Sequence, residues 1–349
     1  MSQFIRNSWY VAAWDRELES GSILACEVIG ERLAIFRRRD GGLVALENRC
    51  PHRHAPLSSG RLEGDELRCM YHGLRFNCAG RCVAVPGTDK IPPRLQVRAY
   101  PVVEKWSWIW VWTGDPARAD PTLIPDGYGL DNPEWRLRAN AIDYVADYQL
   151  LHDNLLDLSH IDYVHEATLG ASIGARWSDD EPEIVVRPQG LHLWRWLRAT
   201  QIVQGRSVRI DTLNEYDFSL PGVFVMRFRA FPDGTAARHR AGEALPEPLM
   251  EGCEQQAVTP VAAGRTRYFY ATGTRSRYAS DDDIAGRLAG IDKAFQEDRA
   301  TIEGQARNMD PDRRMVFIPQ DKAPALFRKM IAERMAAEPK PETAESSGA

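Results

Sequence analysis

Two short loops carry the first chemistry: Cys50-x-His52, sixteen intervening residues, then Cys69-x-x-His72, all within RCPHRHAPLSSGRLEGDELRCMYHGLRF. Two thiolates and two imidazoles can hold zinc tetrahedrally, or a [2Fe–2S] cluster in which two Cys bind one iron and two His the other. Zinc hairpins usually pair Cys with Cys and His with His. Here each loop carries one Cys and one His, so each can give its thiolate to one iron and its imidazole to the other. Imidazole ligation raises the potential of such a cluster and leaves a ring nitrogen free to hydrogen-bond outward, an edge through which electrons can leave. His54 lies outside the spacing and reads as a supporting or surface residue. Cys78 and Cys82 read as the flanks of a hairpin turning at Gly80 rather than as ligands.

A second set lies in DNLLDLSHIDYVH. Asn154, Asp157 and His160 recur every three residues and fall along one helical stripe. His165, five residues past His160, is about 140° off that stripe in a regular helix. Both His face one metal only if the helix ends or carries a π-type irregularity between them. Two neutral imidazoles and a carboxylate make the facial triad that holds Fe(II) with open positions for O2 and substrate. The carboxylate must come from elsewhere; FQEDRATIE offers Glu297, Asp298 and Glu303, and periodicity does not choose among them. His152, His192 and His239 have no comparable partners and read as structural or solvent-exposed.

These residues need elements to position them. From about residue 8 to 112, short apolar runs alternate with Gly, Asp and Asn turns at a period of two, which predicts a small all-β domain. In WSWIWVW, Trp106, Trp108, Trp110 and Trp112 alternate, so one strand face is lined with indoles that read as core. The Pro-, Gly- and Asp-rich stretch that follows marks a linker. The expected division is 1–115 for the cluster domain, 116–134 for the linker, 135–337 for the catalytic domain and 338–349 for a disordered tail. The second domain opens with a helix over YQLLHDNLLDLSHIDYVH. It continues through the strand-like EIVVRP, LHLWRWLRAT, GVFVMRFRAF and RTRYFYATG, and closes with helices from about Asp282 to Gln305 and from Lys322 to Met335. This order predicts an α+β fold with an antiparallel sheet wrapped around a helix.

At 349 residues the chain is long enough for two cores. A net charge of −5 with dispersed Lys and Arg argues against a nucleic-acid or anionic-membrane partner. MSQFIRNSWY has no apolar h-region, and no apolar run is long enough to span a bilayer, which points to a soluble cytoplasmic protein. No G-x-G-x-x-G follows a strand, so a nicotinamide site is expected on another polypeptide.

With these motifs in hand, the chain resembles the terminal oxygenase components of Rieske non-haem iron enzymes, in the group of vanillate O-demethylase, dicamba monooxygenase and toluenesulfonate methyl-monooxygenase. The resemblance runs through RNSWYVAAW, the Cys/His loops, VWTGDPARADPTLIPD, DNLLDLSHIDYVH and FQEDRATIEGQ. It implies a Rieske domain followed by a helix-grip catalytic domain. By resemblance, Cys50, His52, Cys69 and His72 are the cluster ligands, and His160, His165 and Asp298 hold the mononuclear Fe(II). Asp157 is the carboxylate bridging the two centres across neighbouring subunits, and Asn154 is the polar residue beside the iron. The resemblance further implies a homotrimer and a separate reductase or ferredoxin relaying NAD(P)H electrons. The implied reaction is O2-dependent oxidation of a small aromatic acid-type substrate, with O-demethylation expected and hydroxylation of a ring or methyl carbon as the alternative. Between about residues 170 and 274 the match is loose, and Arg227, Arg229, Arg275 and Arg277 stand as unassigned partners for an anionic substrate. Two other classes remain: a Rieske electron carrier without oxygenase activity, and a zinc-dependent binding protein.

Overall fold

The structure is a computed structural model that describes residues 3–170, 176–203, 206–310, 312–313 and 315–338. Eleven short strands come first: β1 (Trp9–Trp14), β2 (Ile23–Val28), β3 (Glu31–Arg37), β4 (Leu43–Glu47), β5 (Arg61–Glu63), β6 (Glu66–Arg68), β7 (Arg75–Phe76), β8 (Cys82–Ala84), β9 (Ala99–Tyr100), β10 (Val102–Lys105) and β11 (Trp108–Trp112). They form three small sheets, β1-β11-β10, β2-β3-β4-β9 and β5-β6-β7-β8.

The tryptophan strand differs from its sequence reading at one end. Trp106 and Ser107 both have positive φ, 60° and 62°, and make the two-residue turn between β10 and β11. Such a turn matches the twist of paired strands. Trp106 is therefore off the strand. Its indole N–H donates to the Pro125 carbonyl at 3.1 Å, and its own carbonyl accepts from Gln255 at 3.0 Å. Trp108, Trp110 and Trp112 do line one face, packed with Trp9, Trp14, Trp135 and Phe269 in a core shared by the two halves of the chain. Thr259 Oγ1 donating to the Val11 carbonyl at 2.7 Å ties the same seam.

The second half is one antiparallel sheet of β12 (Trp135–Tyr144), β13 (Glu183–Arg187), β14 (Gly190–Val203), β15 (Arg206–Ser219), β16 (Val223–Pro232), β17 (Met250–Ala262) and β18 (Arg265–Arg275), in the order β12-β18-β17-β16-β15-β14-β13. Sequence periodicity missed β12, so that a strand and not the expected helix opens the second domain, and also β15 and β17, whose inner faces carry Asn214, Glu254 and Gln256 at positions where apolar residues would announce a strand. Among the described residues, five helices accompany the sheet: α1 (Tyr148–Leu156), α2 (Ile161–Val164), α3 (Thr235–Arg240), α4 (Asp281–Asn308) and α5 (Lys322–Ala336). The 28-residue α4 starts on a capping box, Ser280 with Asp283, and packs Ile291, Phe295 and Ile302 against the sheet. Among the described residues, no helix is long and apolar enough to cross a membrane.

His152, expected to be structural or exposed, is buried at 1% exposure. It sits edge-on to Tyr148, Phe218 and Phe327, and neither ring nitrogen has a hydrogen-bond partner among the described residues. Beside it, Arg328 of α5 holds Asp153 of α1. Glu338, the first residue of the expected tail, accepts hydrogen bonds from the Arg6 and Asn7 backbone; the rest of that tail lies outside the described residues.

Candidate metal centres and substrate cavity

The two Cys/His loops have the same backbone construction. Cys50 N–H donates to Ala55 and His54 N–H to Cys50, while Cys69 N–H donates to Leu74 and Gly73 N–H to Cys69, all at 2.8–2.9 Å. The fourth residue past each Cys has positive φ, His54 at 56° and Gly73 at 76°. Each loop thus buries its thiol, at 2% exposure, and lifts its His to the surface. The His52 and His72 rings meet with centroids 4.5 Å apart. Burial raises the Cys50 thiol above its usual range, and the neighbouring Cys69 thiol adds to the rise against the backbone N–H groups of His52 and Arg53. Paired thiols below and paired imidazoles above suit a two-iron core better than a single zinc, which needs four donors around one point. Cys78 and Cys82 flank the turn at Gly80; their thiols donate to the Asp65 and Ala84 carbonyls and belong to neither pair.

Among the described residues, His160, His165 and Asp298 are the group of three whose ligand atoms all lie within 4.8 Å of one another. The predicted long helix does not run through them. α1 stops at Leu156, because Asp157 (φ −112°, ψ 86°) leaves helical space and caps the next turn, its carboxylate accepting from Ser159 N–H at 3.0 Å and Ser159 Oγ at 2.6 Å. α2 then presents His160 at its start and His165 at its end, where a five-residue π-helix, Glu166–Gly170, begins. The irregularity that the five-residue spacing required falls at His165 itself.

This break corrects the single-stripe reading. Asn154 and His160 do meet, Nδ2 to Nε2 at 3.3 Å, and Asn154 donates to Asp298 Oδ1 at 3.0 Å. The Asp157 carboxylate instead accepts from Ser159 and lines a separate pocket of about 200 Å³ with Asp179, Asp180 and Glu181. Only its carbonyl reaches back, 2.5 Å from His160 Nδ1.

Each of the three carboxylates that the sequence left open has its place. Asp298 is 3% exposed and faces both imidazoles, 3.5 Å from His160 Nε2 and 3.2 Å from His165 Nε2. Glu297 sits 2.9 Å from His165 Nδ1 and accepts from Thr168 Oγ1 at 2.7 Å. Glu303 accepts from the Val145 N–H and Arg299. Burial works against a proton on His165, but Asp298 and Glu297 outweigh it and raise its pKa. Two Nε2 atoms converging on a buried carboxylate, with an oxygen within reach of each Nδ1, is a donor set that could hold a metal as a facial triad.

The triad opens into a cavity of about 530 Å³ between the sheet and α4. Leu197, Phe224, Met226, Phe228, Ile291 and Trp177 supply its apolar walls, and Asn214, Glu254, Gln256 and Arg287 its polar end. None of the four arginines singled out from the sequence lines it. Arg227 and Arg275 pair with Glu251, Arg229 with Glu215 and Arg277 with Glu247. The cavity polar residues were missed; the available signal was helical period, since Arg287, Ile291 and Asp298 fall at i, i+4 and i+11 on one face of α4.

Residues 8–101 match the Rieske [2Fe-2S] domain family, and residues 144–337 match the vanillate O-demethylase oxygenase C-terminal domain family. The chain is 37% identical to the iron-sulfur subunit of a toluene-4-sulfonate monooxygenase system from Comamonas testosteroni, covering 91% of this chain and 93% of that one. It is 32% identical to the oxygenase component of dicamba O-demethylase from Stenotrophomonas maltophilia, over 87% and 88% of the two chains. The crystal structure of dicamba monooxygenase bound to 3,6-dichlorosalicylic acid superposes with a TM-score of 0.85 at 29% identity, over 96% of this chain and 99% of that one. Carrying a Rieske [2Fe–2S] domain and a vanillate O-demethylase-type catalytic domain, the chain belongs to the Rieske oxygenase family, as the oxygenase component of a multicomponent monooxygenase.

Proposed function

We propose that this oxygenase component oxidises a small aromatic acid with O2 and NAD(P)H-derived electrons, most simply by O-demethylation. The observation that carries the reading is the His160–His165–Asp298 group at the inner end of a largely apolar cavity of about 530 Å³, a size that suits one small aromatic. In this reading Cys50, His52, Cys69 and His72 hold the [2Fe–2S] cluster, and His160, His165 and Asp298 hold Fe(II). The cluster domain spans 1–115, the linker 116–134 and the catalytic domain 135–337.

When bound, the cluster supplies single electrons and the ferrous ion activates O2 next to the target carbon. The chain's own residues do the rest. Glu297 and the Asp157 carbonyl fix the two imidazoles, Asn154 holds Asp298, and the apolar walls exclude water while orienting the ring.

Electron delivery is assigned to a neighbouring copy through Asp157, within a homotrimer. Two exposed surfaces of different make-up support this. The cluster tip exposes Arg49, Arg53 and His54 beside its two imidazoles, with Met70 and Tyr71 exposed at 54% and 63%. The Asp157 pocket is rimmed by Asp179, Asp180 and Glu181, next to the exposed Val316, Phe317 and Ile318. Two different surfaces on one chain would meet head to tail, the kind of contact that closes rings. The partner supplying electrons from NAD(P)H is a separate reductase or ferredoxin.

A second reading, hydroxylation of a ring or methyl carbon, is favoured by the relative named for toluene-4-sulfonate, which has no methoxy group. Feeding methoxybenzoates and methylbenzoates to the protein with a reductase separates them. Formaldehyde release supports demethylation, a hydroxymethyl or ring-hydroxylated product supports hydroxylation, and NADH oxidation without either product contradicts both.

A further inference from the structure

The cavity has a built polar end whose use is unassigned. Arg287 faces it from α4, eleven residues before Asp298, which is three helical turns and about 16 Å along the axis. Its guanidinium is fixed on three sides. Nε donates to Thr272 Oγ1 at 2.7 Å, Nη2 to Glu254 Oε1 at 3.3 Å, and the plane lies over the Phe228 ring at 4.8 Å. Gly252, opposite Phe228 in the sheet, makes room for that ring; a Cβ there would lie 2.0 Å from it.

Glu254 is itself anchored. Its other oxygen accepts from Gln256 Nε2 at 2.8 Å, and Gln256 Oε1 accepts from Tyr268 at 2.6 Å. It therefore orients the arginine through one long contact and does not engage it in a two-pronged pair. Nη1 has no hydrogen-bond partner among the described residues. Across the cavity, Asn214 is 3% exposed and spends one N–H on the Thr212 carbonyl at 3.3 Å, while its second N–H and its carbonyl have no partner among the described residues. An arginine held by a carboxylate and a hydroxyl, with N–H groups left over in a cavity that Asn214 also lines, is preorganised for an oxyanion.

We propose that Arg287, assisted by Asn214, binds the anionic head of the aromatic substrate and so sets which carbon reaches the triad. This rests on the aromatic-acid reading above. Lys293 also lines the cavity, but it is exposed, and an exposed ion pair is worth little.

The test is binding to the iron-loaded holoenzyme by calorimetry, with 4-methoxybenzoate and its neutral isostere 4-methoxybenzamide as probes. The wild type binds the carboxylate about ten- to a hundredfold tighter than the amide, as expected for charge-assisted hydrogen bonds. Arg287→Gln removes that preference, Arg287→Lys keeps part of it, and Lys293→Met leaves it intact. A wild type that binds the amide as well as the acid, or an Arg287→Gln variant that still prefers the acid, overturns the assignment. The wild-type comparison decides even if the variants fail to fold. Turnover of neutral methoxyarenes by an enzyme without acid preference would sink this inference alone, whereas absence of any oxygenation would sink the functional reading.

Discussion

Asp157 and His160 meet through the main chain: the Asp157 carbonyl lies 2.5 Å from His160 Nδ1, while the Asp157 carboxylate accepts from Ser159 and lines a separate pocket. One residue thus touches the candidate iron site with its backbone and the candidate docking face with its side chain. Asp157→Ala is expected to retain both metals, because the carbonyl stays, and to lose nearly all coupled turnover. Single-turnover kinetics measure it: product formed at normal yield from a prereduced, substrate-bound Asp157→Ala variant at the wild-type rate would remove Asp157 from the electron route.

His165 depends on Glu297 for its orientation, and Glu297 on Thr168. Glu297→Gln keeps the shape but weakens the acceptor for the Nδ1 proton. Loss of such a support typically lowers metal affinity about 10- to 100-fold. Competition with a chelator should show this loss at the mononuclear site while the Rieske EPR signal stays unchanged. Equal iron retention in the variant would reduce Glu297 to a packing residue.

Gly73 lies in the cluster loop with φ 76°, and a Cβ there would lie 2.8 Å from Pro86 Cγ. Gly73→Ala combines a strained backbone, about 1–3 kcal/mol, with a steric conflict. Lower thermal stability and a diminished or shifted Rieske EPR signal are expected together. Gly264, which also has positive φ but nothing within 4 Å of its added Cβ, is the control in which destabilisation occurs without any change at the cluster.

His152 provides the pH test. Burial, reinforced by Arg328, lowers its pKa to about 3. The unfolded chain therefore binds the proton more readily than the folded one between about pH 3 and pH 6.5. Its contribution to stability is present above about pH 6.5 and is lost progressively as pH falls toward 3, reaching on the order of 4 kcal/mol. Denaturant titrations of the wild type should show stability falling with acidification across that window, and His152→Leu should flatten the slope. An unchanged slope would mean that His152 finds a partner for its proton in the folded state.

Much of this was legible in the sequence for a physical reason: metal ligation demands particular atoms at particular spacings. The spacing of the Cys/His loops stands out, and the His160–His165 pair, which alone reads more often as structural, gains its weight beside them. What escaped is set by tertiary context. Asp157 was placed on the iron-facing stripe because period alone cannot show that Asp157 ends the helix to cap its own successor. Trp106 was placed on a strand because a turn with two positive φ values usually advertises itself with Gly or Asn. The cavity residues Asn214, Glu254 and Gln256 were invisible because polar side chains on the inner face of a sheet erase the alternation that would reveal their strands, β15 and β17. The arginines that did catch the eye turned out to be paired with glutamates outside the cavity.

The account stands on two separate iron sites in one chain, and metal counting tests it most directly. Anaerobically reconstituted protein should hold three irons and two sulfides per chain, and Asp298→Ala should hold two irons with the Rieske EPR signal unaltered. A wild type with only two irons, or an Asp298→Ala variant that keeps the third, would contradict a mononuclear centre at His160, His165 and Asp298.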